Sequence, residues 1–230
     1  AMGHTLAELG INVNCMPVLD VRHDATHSAI GDRALGRVPM QVAALGRALL
    51  DGLAQAGVAG VLKHMPGQGY ATVDSHHDLP RVTLDTAALI DDFEPFRSLA
   101  HAPFGMTAHV IFDAWDAERP ATLSPHVVTS IIRGLIAFEG LLLSDDITMN
   151  ALAGPIAARA QACLAAGCDL VLHCSGDEAE MHAISDALDD MPTPRAALLS
   201  STMARYRPHY DADQLAASLA KRDQLLKVAA

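Results

Sequence analysis

The 230-residue sequence predicts an α/β protein of the TIM (β/α)8 type that lacks its first βα units. Three observations carry this expectation. Short apolar runs alternate with longer Ala/Leu-rich segments of helical spacing, the rhythm of parallel strands covered by helices. Polar residues gather directly after those runs, at Asp20/Arg22, Lys63/His64, His109 and Asp145/Asp146. Barrel enzymes assemble their sites from several strand ends in this way, which favours a barrel over the open doubly wound sheet that the alternation also admits. The length falls close to the ~250 residues of one barrel, so a single domain spanning 1–230 is expected. Only five strands are visible, however, where a closed barrel needs eight.

In chain order, a helix-like segment at 2–9 runs into a first strand at 11–15, and a helix follows at 39–55 with Gly57 where a C-terminal glycine belongs. A strand at 60–63 precedes a helix at 86–100, and a strand at 104–109 precedes a helix at 124–137. Ser124 is a good N-cap for that last helix, with Pro125 at its first position. Strands at 141–144 and 169–173 bracket a helix at 155–166 that ends at Gly167. Helices at 177–189 and 194–206 and an amphipathic tail at 212–230 complete the chain.

Composition narrows the function classes. Sixteen Lys+Arg against 27 Asp+Glu give a net charge of −11, which repels phosphate backbones and anionic lipid, so neither nucleic acid nor a membrane surface is an expected partner. Cys15, Cys163, Cys168 and Cys174 form no CxxC pair, and reduced thiols in a cytoplasm are the simpler expectation. No basic-plus-apolar leader is visible, and the most apolar stretch, 127–143, is broken by Arg133 and Glu139. A soluble monomer is expected.

The most informative segment is Lys63-His64-Met65-Pro66-Gly67-Gln68-Gly69, continuing through Asp74-Ser75-His76-His77-Asp78 to Pro80. A strand delivers Lys63 and His64, and two glycines free the backbone of a long patterned loop, a kind that usually carries function. An Asp two residues before a His can accept one ring N–H and leave the other nitrogen to exchange a proton, so Asp74 and His76 form a candidate acid/base dyad. Taken alone, a His-His-Asp run is more often a solvated loop. The second segment, Leu141-Leu142-Leu143-Ser144-Asp145-Asp146, ends an apolar strand on two carboxylates. Either could act as a nucleophile toward a sugar carbon or simply cap a following turn, and spacing does not choose between them. Arg33 in an Ile30–Gly36 loop, Lys63 and His64 add hydrogen-bond donors, each of which singly reads as an ordinary surface or supporting residue.

Five ordered stretches, 10–21, 30–36, 63–80, 104–124 and 140–149, which include Pro17-Val18-Leu19-Asp20-Val21, Met106-Thr107-Ala108-His109-Val110 and Pro120-Ala121-Thr122-Leu123-Ser124, resemble glycoside hydrolase family 3. The likeness is to its single-domain bacterial β-N-acetylhexosaminidase branch and runs from about residue 6 to 174. The resemblance implies retaining hydrolysis of a terminal β-linked N-acetylglucosamine from peptidoglycan fragments, in cell-wall recycling. It implies Asp145 as nucleophile, His76 as acid/base oriented by Asp74, and Arg33, Lys63 and His64 as holders of the terminal sugar. A saccharide or muropeptide is then the partner, and no metal or other cofactor is expected. Two departures stand out. Met65 and Gln68 replace the family's usual Phe and His, and nothing here matches the acidic, glycine-containing loop of the N-terminal βα units, so the chain is expected to be a fragment with unpaired strand edges. The competing readings are a metal-dependent hydrolase on the same barrel, prompted by 12 His, and a non-catalytic sugar-binding barrel fragment.

Overall fold

A computed structural model describes residues 1–228. The five expected strands all form: β1 (Val13–Asn14), β2 (Ala59–Met65), β4 (Phe104–Thr107), β7 (Leu141–Asp146) and β8 (Leu170–Leu172). They lie in the order β1-β2-β4-β7-β8, every pair parallel, as a sheet curled into a half-barrel. Register is set by Val61 opposite Phe104 and Phe104 opposite Leu141, with an isolated bridge from Val18 to Lys63 extending the β1 side.

Strands buried on both faces read as continuous apolar runs, which is why β2 and β7 are the plainest elements of the sequence. Leu62 and Leu142 point to one side, into a cluster with Val42 of α2 (Pro39–Ala54), Phe93 and Phe96 of α3 (Thr86–Ser98), and Ile131 and Ile132. Their alternates Val61 and Leu141 join Ala59, Phe104 and Met106 on the other side, where Leu198, Leu199, Met203 and Tyr206 pack on them. The first three of these belong to α6 (Thr193–Arg205), so a helix covers part of the half-barrel's second face. The remaining helices are α1 (Met2–Glu8), α4 (Ile156–Ala166), α5 (Glu178–Ala187) and α7 (Ala212–Val228). The last two residues of the expected tail helix lie outside those described.

Two features depart from expectation. The helix after Ser124 is wound as a π-helix over Val127–Leu135. Its cap survives: Ser124 Oγ accepts from the Val127 N–H at 3.2 Å. A second sheet of β3 (Arg81–Val82), β5 (Ile111–Phe112) and β6 (Asp116–Pro120) was not expected, and it pins the far end of the 63–80 loop beside β4. Gly167 closes α4 at φ 111°, a left-handed conformation that glycine adopts without strain.

Candidate active site

The C-terminal ends of the parallel strands deliver the polar groups to one end of the sheet. Beyond β1 the chain bridges to β2 at Val18 and sets Asp20, fully buried, beneath the end of β2. Its Oδ1 accepts the backbone N–H groups of His64 at 3.2 Å and Gln68 at 2.7 Å, and its Oδ2 lies 2.7 Å from His64 Nδ1. A carboxylate there fixes the proton on Nδ1, and the opposite ring nitrogen faces Asp145, with Nε2 and Oδ2 separated by 3.8 Å. Asp20, His64 and Asp145 thus stand in line, each almost closed to solvent.

The structure distinguishes the two carboxylates of β7. Asp146 is occupied: its Oδ1 accepts from the N–H groups of Thr148 and Cys174 at 3.0 and 3.1 Å, and its Oδ2 from the Thr148 hydroxyl at 2.6 Å. Among the described residues Asp145 accepts only the Asp146 N–H, through Oδ1 at 2.8 Å, and turns its other oxygen toward His64. Behind this pair His109 is fully buried, and burial pushes its pKa down, so the ring is neutral. Its Nε2–H then donates to the Asp146 carbonyl at 3.0 Å while Nδ1 lies 2.8 Å from the Thr122 hydroxyl oxygen, holding the end of β7 in place. Cys15 lies near Lys63 and Asp145; burial raises its thiol, which Lys63 opposes.

The 63–80 loop brings in the second functional group. It leaves β2 through Gly67 and Gly69, and a Cβ on Gly69 would stand 2.0 Å from the Val21 carbonyl oxygen, so only glycine fits that approach. At the loop's crest Asp74 Oδ1 lies 2.7 Å from His76 Nδ1 and also accepts the His76 backbone N–H at 3.0 Å. These hydrogen bonds, the backbone one foremost, hold the Asp74 carboxyl below its ordinary pKa despite its partial burial. With Nδ1 engaged, His76 keeps Nε2 free among the described residues, on a side chain that is 56% exposed. Ala151 ties the far side of the loop to the segment after β7 by donating its N–H to the Ser75 carbonyl at 3.3 Å.

All six residues singled out from the sequence, Arg33, Lys63, His64, Asp74, His76 and Asp145, line one cavity together with Gln68. Arg33 reaches it on an exposed turn, steadied by Nε donating to the Ala29 carbonyl at 2.8 Å. From the sequence Asp20 and His109 stand at strand ends without a role and Asp146 stands as the alternative nucleophile; in the structure Asp20 and His109 support the cavity from beneath through partners distant in the chain, and Asp146 is engaged by Thr148 and Cys174. Gln68 Oε1 is buried with no hydrogen-bond partner among the described residues. Among the described residues no group of three or more His, Cys, Asp or Glu side chains is placed to share a metal ion. The arrangement can offer an anionic oxygen, a proton-exchanging imidazole and cationic donors to one small polar ligand.

Strand-end groups converging on a half-barrel place the chain among (β/α) barrel proteins whose sites form at the C-terminal ends of the strands. The comparisons with known proteins make this specific. The family model described as Glycosyl hydrolase family 3 N terminal domain matches residues 1–205, and the chain belongs to that family. The β-hexosaminidase of Bordetella avium is 43% identical over 175 residues, 74% of this chain and 49% of that protein. The β-hexosaminidase of Chromobacterium violaceum is 42% identical over 204 residues, 86% of this chain and 56% of its own length. The chain thus spans about half the length of these curated relatives. Among solved structures, NagZ from Neisseria gonorrhoeae in complex with N-trifluoroacetyl-D-glucosamine superposes with a TM-score of 0.78 at 32% identity, covering 94% of this chain and 63% of that one. A family 3 β-N-acetylglucosaminidase from Paenibacillus gives 0.77 at 34% identity, covering 89% and 40%.

Proposed function

We propose that this chain carries the catalytic groups of a retaining β-N-acetylhexosaminidase that releases terminal β-linked N-acetylglucosamine. The observation that carries the reading is the shared cavity, in which, among the described residues, Asp145 has a carboxylate oxygen free of hydrogen bonds and His76 is held by Asp74 with Nε2 free. In the first step Asp145 Oδ2 attacks the anomeric carbon, the glycosidic C–O bond breaks, and the Nε2 proton of His76 passes to the departing oxygen. In the second, water attacks the same carbon while Nε2 takes its proton, and the bond to Asp145 breaks. Imidazole suits the role because it is neutral after donating and leaves no new anion beside Asp145. Arg33, Lys63 and His64 supply donors for the sugar hydroxyls and an acetamido carbonyl, in keeping with the amide-bearing sugar named in the Neisseria complex.

The substrate class follows from the reading: a saccharide or muropeptide with N-acetylglucosamine at its non-reducing end, in cytoplasmic cell-wall recycling, acted on by a monomer without a cofactor. The test is chromophore release from an aryl N-acetyl-β-glucosaminide by this chain and by a version of the relatives' full length. Turnover that falls on the order of a thousandfold or more in Asp145→Asn, and by ~100-fold or more in His76→Ala, supports the assignment. A folded full-length protein that binds the sugar without turnover overturns it in favour of a sugar-binding barrel.

A further inference from the structure

A second cluster lies outside the cavity, at the root of the loop that carries Asp74 and His76. Asp92 projects from α3 and is 2% exposed. Its one hydrogen-bonding side chain among the described residues is His23, whose Nε2 lies 2.9 Å from Oδ1 and 3.2 Å from Oδ2. The same imidazole stacks on the Tyr70 ring, centroid to centroid 3.7 Å at an interplanar angle of 14°. Around this contact the backbone of the loop root is bound on several sides. Thr26 Oγ1 donates to the Gly69 carbonyl at 2.6 Å, and the His27 N–H donates to the Ala71 carbonyl at 3.0 Å. His23 itself is fixed by its N–H donating to Thr26 Oγ1 at 2.7 Å. A Cβ on Gly67 or Gly69 would come within 3.2 Å of Asp92, so the loop root is seated directly on that carboxylate.

We propose that His23, gripped between the buried Asp92 carboxylate and the Tyr70 ring, is a positioning residue that fixes the loop bearing the Asp74–His76 dyad. The inference rests on the glycosidase reading for its catalytic consequence and on geometry alone for its effect on the loop. The groups around Asp92 are His23, Asp20, Asp91 and Tyr70; Asp20 and Asp91 repel the Asp92 carboxylate, and His23 is the single group among them that can answer with positive charge. Without the imidazole, Asp92 would be a buried carboxylate with no donor, and the cheapest relief is for the Gly67–Tyr70 root to lift and admit water. Between the root and its far anchor, where the Ile111 N–H donates to the Pro80 carbonyl, the loop has one backbone tie among the described residues, Ser75 to Ala151, so a lifted root lets Asp74 and His76 move as a unit away from Asp145.

The experiment combines hydrogen exchange with steady-state kinetics on wild type, His23→Ala and His23→Gln in the protein used for the turnover assay. His23→Ala is expected to speed exchange in residues 66–80 by ~10-fold or more and leave 141–146 unchanged. It should lower kcat by ~10-fold with KM within about twofold, because the misplaced group is the proton donor and not the sugar-binding set. His23→Gln keeps an N–H for Asp92 and a flat amide for Tyr70, and it should recover most of both effects. Unchanged exchange in the loop, exchange that rises equally in the strands, or a freed loop with unaltered kcat each overturns the proposal. A wild type that shows no turnover sinks the glycosidase reading instead, and is seen before any variant is compared; the exchange data judge the brace in either case.

Discussion

At the scale of single residues, Asp92 gives the site a pH signature. Desolvation pushes its pKa up to about 6, with His23 pulling the other way. An unfolded aspartate titrates near 3.9, so the folded protein binds the extra proton between these values. The stabilisation from that proton is complete below ~4 and is lost as pH rises through about 6, a swing of at most about 3 kcal/mol. Urea unfolding between roughly pH 4 and pH 7 should show this decline in wild type, and Asp92→Asn, which cannot titrate, should flatten it. Equal slopes in the two proteins would mean that the carboxylate is better solvated than its 2% exposure implies. Asp20 is the contrasting case. Three hydrogen bonds satisfy it, so Asp20→Ala strands two backbone donors and the His64 ring, and should cost roughly 3–5 kcal/mol in the same assay, with Asp20→Asn costing less.

At the scale of elements, what can be read from the chain follows the range of the interactions. β2 and β7 are legible because both faces are buried, and α4 because Gly167 closes it. β3 and β5 hold two residues each and form only when 81–82 and 111–112 are brought side by side, so no periodicity announces them. The site divides in the same way. Asp74 and His76 are two residues apart and declare themselves, whereas Asp20 and His64 are 44 apart, and His23 and Asp92 are 69 apart. Asp169 is another long-range group. At the start of β8 it takes Arg133 of the π-helix at 2.9 Å, Arg195 of α6 through Nε at 2.6 Å, and the Leu142 N–H at 2.8 Å. One carboxylate therefore fastens α6 and the π-helix to the sheet. Asp169→Ala leaves two guanidiniums together without an anion and should cost ~3–5 kcal/mol, against ~1–2 kcal/mol for Arg195→Ala, which leaves Asp169 its other partners. A double-mutant cycle should give a coupling of ~1–3 kcal/mol, and a value near zero would show that α6 is held by Leu198, Leu199 and Met203 alone.

At the scale of the whole molecule, two opposing features decide how copies of this chain behave toward one another. The described sheet is open, with β1 and β8 at its edges, and Val13, Cys15, Leu143, Leu170 and Leu172 are only partly buried. Unpaired strand edges flanked by apolar side chains are templates for pairing with another chain. Against this stands a net charge of −11, which makes copies repel at long range. Salt separates the two effects, because it screens charge over a Debye length of about 30 Å at 0.01 M but only about 3 Å at 1 M, while apolar burial is untouched or strengthened. Sedimentation velocity of this chain should therefore show a monomer at low salt that shifts to larger species as salt is raised. Leu172→Lys, which puts a charge on the β8 edge, should suppress the shift even though it makes the net charge less negative. If the variant associates as readily as wild type, copies meet through a surface other than the β8 edge; if it stays monomeric in high salt, the β8 edge is the surface through which copies meet.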